Sequence, residues 1–450
     1  MNNWIKDSIF YHIYPLGLCG AEHNNNYNSK VIFNLNKLYE WISYLKDFGI
    51  NVLYLGPLFE STSHGYDTID YFKVDIRLGT NETLKNLINE FHKNEIKVIL
   101  DGVFHHIGRD FFAFIDLKQN TINSMYKDWF VNVNFNKKSQ YNDPFSYEGW
   151  NGHYSLVKLN LNNPDVKKYI FTAVKFWIEE FQIDGLRLDA ADYININFLY
   201  ELSNFCKKNN HDFILIGEVI HGDYRTWVND KTLDSVTNYE CYKGLWSSHN
   251  DNNYYEIAYS LNRQFGDTGM YKNLFLYNFA DNHDVDRVIT SLKNPAHAFT
   301  LYLILFTMPG IPSIYYGSEW GLKGKKGKNN DYDLRPEINI TQLTSASNNQ
   351  DLYNSIKKFI YIKKKFSSLK YGSYKQIFLN HNQFIFLREY NNEKILIAVN
   401  SENKKISVEF SLPFNYSNLF DILNNEEIII TPNKQKLDLY PNWGRIIIIT

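Results

Sequence analysis

The sequence is poor in cysteine and contains no long apolar run. Its three cysteines, Cys19, Cys206 and Cys241, are far apart, and none belongs to a CxxC pair. This number and spacing indicate neither a disulfide framework nor a cysteine zinc site. No run of about 18 apolar residues is present, so we expect no membrane-spanning helix. The N-terminal residues also lack a basic region followed by a long apolar stretch. We therefore expect no signal peptide and a cytoplasmic protein.

Neither sign of charge is in excess. The 47 basic and 49 acidic side chains leave a formal net charge of -2. This near balance argues against nucleic acid or an anionic membrane as the main partner. Hydrophobic residues make up 44% of the 450 residues. That is enough for a large core, and the length predicts one large domain with one or two smaller ones. The sequence leaves the oligomeric state open.

Short apolar runs alternate with helical segments over roughly the first 365 residues. This alternation is typical of a parallel α/β architecture. The clearest helix follows Asn163-Pro164, where Asn can cap the helix and Pro suits its first position. Eight strand–helix units predict a (β/α)8 TIM barrel. The predicted strands are Ile9–Tyr14, Val52–Gly56, Val98–Val103, Gly185–Leu188, Ile214–Gly217, Ser235–Asn238, Leu274–Phe279 and Ile311–Tyr316.

Two segments depart from this alternation. The long stretch after the third strand is rich in Asn, Gly and aromatic residues, and it predicts a small inserted domain. Beyond the last long helix, short alternating runs predict a C-terminal antiparallel β-sandwich. The predicted domains are a barrel of residues 1–105 and 160–368, an inserted domain of residues 106–159, and a sandwich of residues 369–450.

Four carboxylates stand at or near the ends of four predicted strands. Asp101, Asp189, Glu218 and Asp284 lie in KVILDGVF, GLRLDAAD, ILIGEV and LYNFADNHD. Burying carboxylates is costly, and barrel enzymes place their active sites at the C-terminal strand ends. Arg187 lies two residues before Asp189, on the same strand face, where a guanidinium would keep that carboxylate ionised. Three such acids can supply a nucleophile, a proton donor and a charge stabiliser, the set that glycoside cleavage needs.

These stretches, in this order, resemble the α-amylase superfamily, glycoside hydrolase family 13. DGVFHH, GLRLDAA, GEV and FADNHD are similar to its four signatures, and HGYD and KLN add two shorter matches. Each motif is weak alone, whereas four in order at strand ends are a strong signal. The stretches WVNDKTLDSVTNYECYKGLWSSHN and MPGIPSIYYGSEWG are most similar to the cyclomaltodextrinase-like branch.

The resemblance implies a role for each matching residue. Asp189 would be the nucleophile, Glu218 the general acid/base and Asp284 the transition-state stabiliser. The implied substrate-binding residues are Tyr66, Asp101, His106, Arg187, His283, Asp331 and Arg335. Among them Tyr66 would stack beneath the sugar, and Asp101 would position its neighbours.

The resemblance also implies a reaction and a substrate class. It implies a retaining hydrolase that cleaves α-glucosidic bonds, with α-1,4 the expected linkage, through a covalent glucosyl–Asp intermediate. The substrates would be α-glucan oligosaccharides, either maltooligosaccharides or cyclodextrins. Retention implies that the nucleophile and the proton donor lie about 5–5.5 Å apart.

Two departures from the family pattern bear on metal and substrate. His105 stands where many α-amylases have an Asn that binds calcium, and a neutral imidazole suits calcium poorly. We therefore expect no required cofactor and regard calcium as a weak alternative. After Asp189 the chain continues Ala-Ala-Asp192-Tyr193. Starch-type α-amylases commonly have Lys-His there, so this difference argues against an endo-amylase.

Several alternatives are open at this stage. The enzyme could transfer glucosyl units to a sugar acceptor, or it could be an α-glucosidase acting on short α-glucosides. A catalytically silent carbohydrate-binding barrel would have lost an acid, and none is missing. A barrel enzyme acting on another substrate class would leave the four ordered motifs unexplained. Substrate and linkage preference depend on loops that the sequence does not place.

Overall fold

The computed structural model describes nearly the whole chain. The described residues are 4–27, 29–328, 330–346, 349–432 and 434–450. The first three residues of the predicted barrel domain therefore lie outside the described residues.

Eight parallel strands form a barrel. In chain order they are β1 (Phe10–Ile13), β2 (Val52–Leu55), β3 (Lys97–Gly102), β4 (Gly185–Leu188), β5 (Ile214–Gly217), β6 (Ser235–Val236), β7 (Tyr277–Phe279) and β8 (Ile311–Tyr315). Hydrogen bonds join them in the order β6–β5–β4–β3–β2–β1–β8–β7. A parallel bridge between Thr237 and Tyr277 completes the ring between β6 and β7.

The predicted (β/α)8 fold class is confirmed, with small differences at strand ends. β4 and β5 have the predicted bounds. β6 ends at Val236 because the Asn238 side chain instead caps the next helix, accepting from the Cys241 N–H at 3.2 Å. β7 begins three residues late because the Leu274 N–H donates to the Tyr271 carbonyl in a turn.

Helices surround the barrel and join its strands. The α-helices are Pro15–Leu18, Tyr39–Phe48, Asn81–Lys93, Phe112–Asn120, Pro164–Phe181, Ile196–Asn209, Tyr239–Asn250, Tyr255–Phe265, Val288–Ser291, His297–Thr307, Ile340–Ala346, Gln350–Lys365 and Ser367–Tyr371. Short 3-10 segments lie at Trp4–Asp7, Asn34–Leu38, Thr121–Asn123, Lys127–Trp129, Ala191–Tyr193, Tyr224–Thr226, Ser318–Trp320 and Tyr332–Leu334.

The helix Pro164–Phe181 shows how sequence determines this packing. Asn163 Oδ1 accepts hydrogen bonds from the backbone N–H groups of Asp165 and Val166, which satisfies two free donors at the helix start. The predicted apolar stripe, including Val166, Ile170 and Trp177, is buried against the barrel. Gln182 ends the helix in the left-handed conformation.

A small sheet is inserted between β3 and β4. Its antiparallel strands are His106–Gly108, Gly149–Trp150 and His153–Lys158. His106 pairs with Lys158, and the first of these strands begins four residues after the end of β3. A hairpin of Phe59–Ser61 and Thr68–Val74 after β2 was not predicted, and Tyr66 lies in its connection.

The C-terminal domain is made of antiparallel sheets, as predicted. The six-stranded sheet contains, in spatial order, Ser373–Leu379, Gln383–Tyr390, Glu393–Asn400, Trp443–Ile449, Leu419–Asp421 and Glu426–Glu427. Ile406–Phe410 and Gln435–Leu439 form a second sheet of two strands. Ile385 and Leu387 pack on the residues of this second sheet, whereas Phe384 and Phe386 belong to the same core as the barrel helices.

Three differences from the predicted C-terminal strands are small. Leu419–Asp421 was not predicted because it has only three residues, and Gln435–Leu439 was not predicted because most of its residues are polar. The predicted strand EEIII is paired only over Glu426–Glu427.

Among the described residues, no helix is long and apolar enough to cross a membrane.

Candidate active site

The ends of β3, β4 and β5 bring three acids side by side. Asp101 lies within β3, while Asp189 and Glu218 directly follow β4 and β5. The Asp189 N–H donates to the Gly102 carbonyl at 3.1 Å, and the Glu218 N–H donates to the Leu188 carbonyl at 2.9 Å. These bonds extend the barrel ladder past the strand ends. The backbone itself therefore fixes the relative positions of the two acids.

Arg187 contacts all three of these carboxylates. Its Nη1 lies 2.9 Å from Asp101 Oδ1 and 3.0 Å from Asp189 Oδ1, and its Nη2 lies 2.9 Å from Glu218 Oε2. The acid side chains are only 0%, 11% and 12% exposed, in that order. Charge-assisted bonds of this kind are strong and directional. The single guanidinium therefore holds the candidate nucleophile and the candidate proton donor side by side.

The charge balance of this cluster favours one bound proton. Burial raises the pKa of Asp189 well above its ordinary value, and the charges of Glu218 and Asp101 act in the same direction, although Arg187 opposes them. Three carboxylates around one guanidinium carry an excess of negative charge when all are ionised. Arg187 therefore does not by itself keep Asp189 ionised, which differs from the expectation from sequence. One proton shared within the cluster relieves the excess of charge, and an acid–nucleophile pair requires one such proton.

The residue after Asp189 has an unusual backbone conformation. Ala190 lies in the left-handed region, with φ of 47°, which an alanine rarely adopts. In this conformation its N–H donates to Glu218 Oε2 at 3.0 Å. Local strain of this type is common at functional sites, where the surrounding structure maintains it. Here it links the backbone beside one acid to the side chain of the other.

Asp284 lies in the loop after β7, where a guanidinium contacts one of its carboxylate oxygens and an imidazole contacts the other. Its Oδ1 lies 3.0 Å from Arg335 Nη2, and its Oδ2 lies 3.0 Å from His283 Nε2. Burial opposes ionisation, yet His283 and Arg335 hold the pKa of Asp284 well below its ordinary value. Asp331 is also at the site, with Oδ2 at 3.3 Å from Arg335 Nη2. The structure therefore brings the predicted Asp331–Arg335 pair to Asp284, where the carboxylate stays ionised.

Tyr66 connects the two groups of acids. Its hydroxyl donates to Asp101 Oδ2 at 3.0 Å and also contacts His283 Nε2. Its ring stacks on the His283 ring, with centroids 5.3 Å apart. A continuous chain of polar contacts thus runs from the Arg187 cluster to Asp284.

His106 lies beside the candidate nucleophile. Its Nε2 is 3.8 Å from Asp189 Oδ2 and has no hydrogen-bond partner within the described part of the chain. Burial lowers the pKa of His106 well below its ordinary value, so the imidazole is neutral at pH 7. A neutral ring nitrogen without a partner at this position can exchange a hydrogen bond with a substrate hydroxyl.

Two protein-family models match this chain. The sequence model described as alpha amylase, catalytic domain, matches residues 22–358. The chain belongs to the α-amylase family. The model described as maltogenic amylase, C-terminal domain, matches residues 377–442.

Individual relatives of the α-amylase family share both domains with this chain. The chain is 32% identical over 426 residues to a cyclomaltodextrinase of Thermoanaerobacter pseudethanolicus, covering 89% of this chain and 71% of that protein. It is 30% identical to the maltogenic alpha-amylase of Bacillus acidopullulyticus, covering 99% of this chain and 78% of that protein. A solved cyclomaltodextrinase structure superposes with a TM-score of 0.88 at 27% identity, covering 99% of this chain and 78% of that structure. The chain is a glycoside hydrolase of this family.

Several tyrosines and a histidine of the site were not predicted. Tyr54 donates to Asp101 Oδ2 at 2.8 Å, and His12 stacks on Tyr54 with ring centroids 4.1 Å apart. The guanidinium of Arg335 lies 4.6 Å from the centroid of the Tyr14 ring. These three aromatic residues lie in or directly after β1 and β2. The criterion that selected the acids, a position at the C-terminal end of a strand, would also have selected them.

Aromatic side chains border the site on the side of the inserted sheet. The Trp150 ring lies 5.8 Å from the His106 ring and 5.9 Å from the His153 ring. Tyr193, just beyond Asp189 in sequence, is 56% exposed and lies 6.5 Å from Trp150. Exposed aromatic faces of this kind suit the apolar faces of sugar rings.

The residues around His105 do not fit a calcium ion. His105 Nδ1 lies 3.3 Å from His106 Nδ1, and burial lowers the pKa of His105 to about 4. The nearby Lys158 ammonium pairs with Glu148 at 2.6 Å. Calcium requires six or more oxygen ligands, whereas this position offers imidazole nitrogens, an ammonium group and the carboxylate of Glu148, with which that ammonium already pairs. No group of three or more His, Cys, Asp or Glu suited to a metal occurs among the described residues.

Proposed function

We propose that this chain hydrolyses α-1,4-glucosidic bonds in short α-glucans with retention of anomeric configuration. The observation that carries the proposal is the Arg187 cluster. One guanidinium holds Asp189 and Glu218 together, and Tyr66 and His283 link that cluster to Asp284. A retaining mechanism requires the two carboxyls to lie about 5–5.5 Å apart, and a guanidinium shared by both supports such an arrangement.

The reaction then proceeds in two balanced steps. Asp189 attacks the anomeric carbon while Glu218 transfers a proton to the departing oxygen, which leaves as a sugar hydroxyl. Glu218, now a carboxylate, takes a proton from water, whose oxygen displaces Asp189 from the anomeric carbon. Asp284, kept ionised by Arg335 and His283, stabilises the positive charge that develops on the ring in both transition states.

The proposed substrates are linear maltooligosaccharides and cyclodextrins. The relatives named cyclomaltodextrinase and maltogenic alpha-amylase support this class. The aromatic side chains of Trp150, His153 and Tyr193 would contact the glucose units beyond the cleaved bond. Transfer to a sugar acceptor is the second candidate. It is favoured by the same exposed Tyr193, which could hold an acceptor sugar in place of water.

The cytoplasmic location predicted from the sequence stays a prediction, as does the absence of a required cofactor.

Product analysis tests the proposal. The enzyme is incubated with maltotriose, maltoheptaose, β-cyclodextrin, pullulan and 4-nitrophenyl α-glucoside, and the first product anomer is followed by proton NMR. We expect the oligosaccharides to be cleaved first and the new reducing end to appear as the α-anomer. A β-anomer would contradict the nucleophilic role of Asp189. Glucose is also added as an acceptor, and its incorporation into longer products would favour transglycosylation. Activity restricted to 4-nitrophenyl α-glucoside would favour the α-glucosidase alternative.

A further inference from the structure

The two oxygens of the Glu218 carboxyl have different surroundings. Oε2 accepts a hydrogen bond from the Ala190 N–H at 3.0 Å and contacts Arg187 Nη2 at 2.9 Å. A proton on Oε2 would compete with the Ala190 N–H and face the positive charge of Arg187, and neither of these groups can accept a hydrogen bond from it. The proton that Glu218 gives to a leaving group must therefore reside on Oε1.

Tyr239 is the residue that contacts this second oxygen. Its hydroxyl lies 3.4 Å from Glu218 Oε1, a long contact of the kind that tightens when a substrate is bound. Burial raises the pKa of Tyr239 well above its ordinary value, so the hydroxyl keeps its proton at all working pH values. Tyr239 is held by packing against Phe279, with ring centroids 5.0 Å apart.

Asn282 determines the direction in which the Tyr239 hydroxyl donates. Asn282 Nδ2 donates to the Tyr239 oxygen at 3.2 Å, so that oxygen acts as an acceptor there. The Tyr239 proton is then free to point at Glu218 Oε1. The amide itself is oriented because Asn282 Oδ1 accepts the N–H of Asp284 at 2.8 Å. A directed chain of hydrogen bonds therefore runs from the loop of Asp284 to the acid oxygen of Glu218.

We propose that Tyr239, oriented by Asn282, is a positioning residue for proton transfer by Glu218. It fixes Oε1 toward the departing oxygen and donates to the carboxylate that remains after the proton has left. The proton moves from Oε1 to the leaving oxygen, and Tyr239 retains its own. This inference rests on the proposed acid/base role of Glu218.

The proposal is tested with two substrates whose leaving groups differ in whether they need a proton. Maltotriose releases a sugar hydroxyl and requires the acid, whereas α-maltosyl fluoride releases fluoride without one. Tyr239→Phe should lower kcat/KM on maltotriose by about tenfold and change kcat/KM on the fluoride by less than about threefold, because kcat/KM reports the glycosylation step, in which only maltotriose needs the proton. The alkaline limb of its kcat/KM profile on maltotriose should move upward by roughly half to one pH unit, because the carboxylate loses a stabilising donor.

Two further variants separate the possible outcomes. Tyr242→Phe makes the same change one turn along the same helix, where the ring stacks on Phe279, and should leave rates on both substrates unchanged. Glu218→Gln should lower kcat/KM on maltotriose far more than kcat/KM on the fluoride, since only the first of these needs a proton in the glycosylation step. If Glu218→Gln is selective but Tyr239→Phe slows both substrates equally, or leaves the alkaline limb unmoved, the positioning role of Tyr239 is wrong. If Glu218→Gln lowers kcat/KM on both substrates equally, the acid role of Glu218 itself is wrong.

Discussion

Asp189→Asn is expected to lower kcat on maltotriose by at least about 10⁴-fold while the protein remains folded. An amide has the shape of the carboxylate and can still accept a bond from Arg187, but it is a far weaker nucleophile. The change also removes a carboxylate whose charged form is disfavoured by burial. The melting temperature should therefore be unchanged or slightly higher. The measurements are reducing-sugar release and thermal unfolding at the same pH.

A matched control distinguishes this effect from a general loss of charge. Asp230 is exposed, and Asp230→Asn makes the same chemical change away from the site. Its turnover should equal that of the unmodified enzyme. If Asp189→Asn retained full turnover, Asp189 could not be the nucleophile. A large fall in its melting temperature would instead assign Asp189 a structural role.

Arg187→Leu is expected to cause the largest loss of stability of any single change at the site. It leaves Asp101, Asp189 and Glu218 buried without the guanidinium that contacts all three. Removing one partner of a buried ion pair typically costs about 3–5 kcal/mol in the free energy of unfolding. Turnover should fall as well, because the two reacting carboxyls lose their common support. Urea unfolding at pH 7 measures the stability.

The pH dependence of this loss follows from proton binding. Without the guanidinium, the folded variant binds protons to the cluster more readily than the unfolded chain does. Its stability therefore falls as pH rises, and the deficit shrinks as pH approaches the ordinary carboxyl pKa of about 4. Arg187→Lys keeps one positive charge but cannot contact three carboxylates in the same geometry, so an intermediate loss is expected. A deficit that is constant from pH 4 to 8 would contradict the charge argument.

The sequence contained enough information to predict the barrel and the position of the acids. Buried parallel strands are continuous apolar runs, and a carboxylate directly after such a run is costly unless it has a function. Asp189 and Glu218 therefore stood out without knowledge of any contact. The C-terminal sheets could also be predicted, because Gln383–Tyr390 and Glu393–Asn400 each contain a short apolar run, which is a local property of the chain.

The remaining parts of the site depend on contacts between distant residues. Arg335 Nη2 reaches Asp284 Oδ1 across 51 positions of sequence, and no local pattern encodes that distance. The hairpin connection that carries Tyr66 has no strong apolar alternation, and its place is determined by packing onto the barrel. Tyr239 follows a strand of only two residues, so its approach to Glu218 becomes evident only in three dimensions.

The most direct test of the account is to trap the intermediate and find the residue that carries it. Glu218→Gln is incubated with a 5-fluoro-α-maltosyl fluoride, which forms the glycosyl–enzyme bond without acid help and hydrolyses slowly. Peptide mass spectrometry then locates the added sugar. The account predicts one maltosyl analogue per chain, attached through an ester to Asp189. A label on Asp284 or another side chain, or steady release of β-configured product with no labelled peptide, would contradict it.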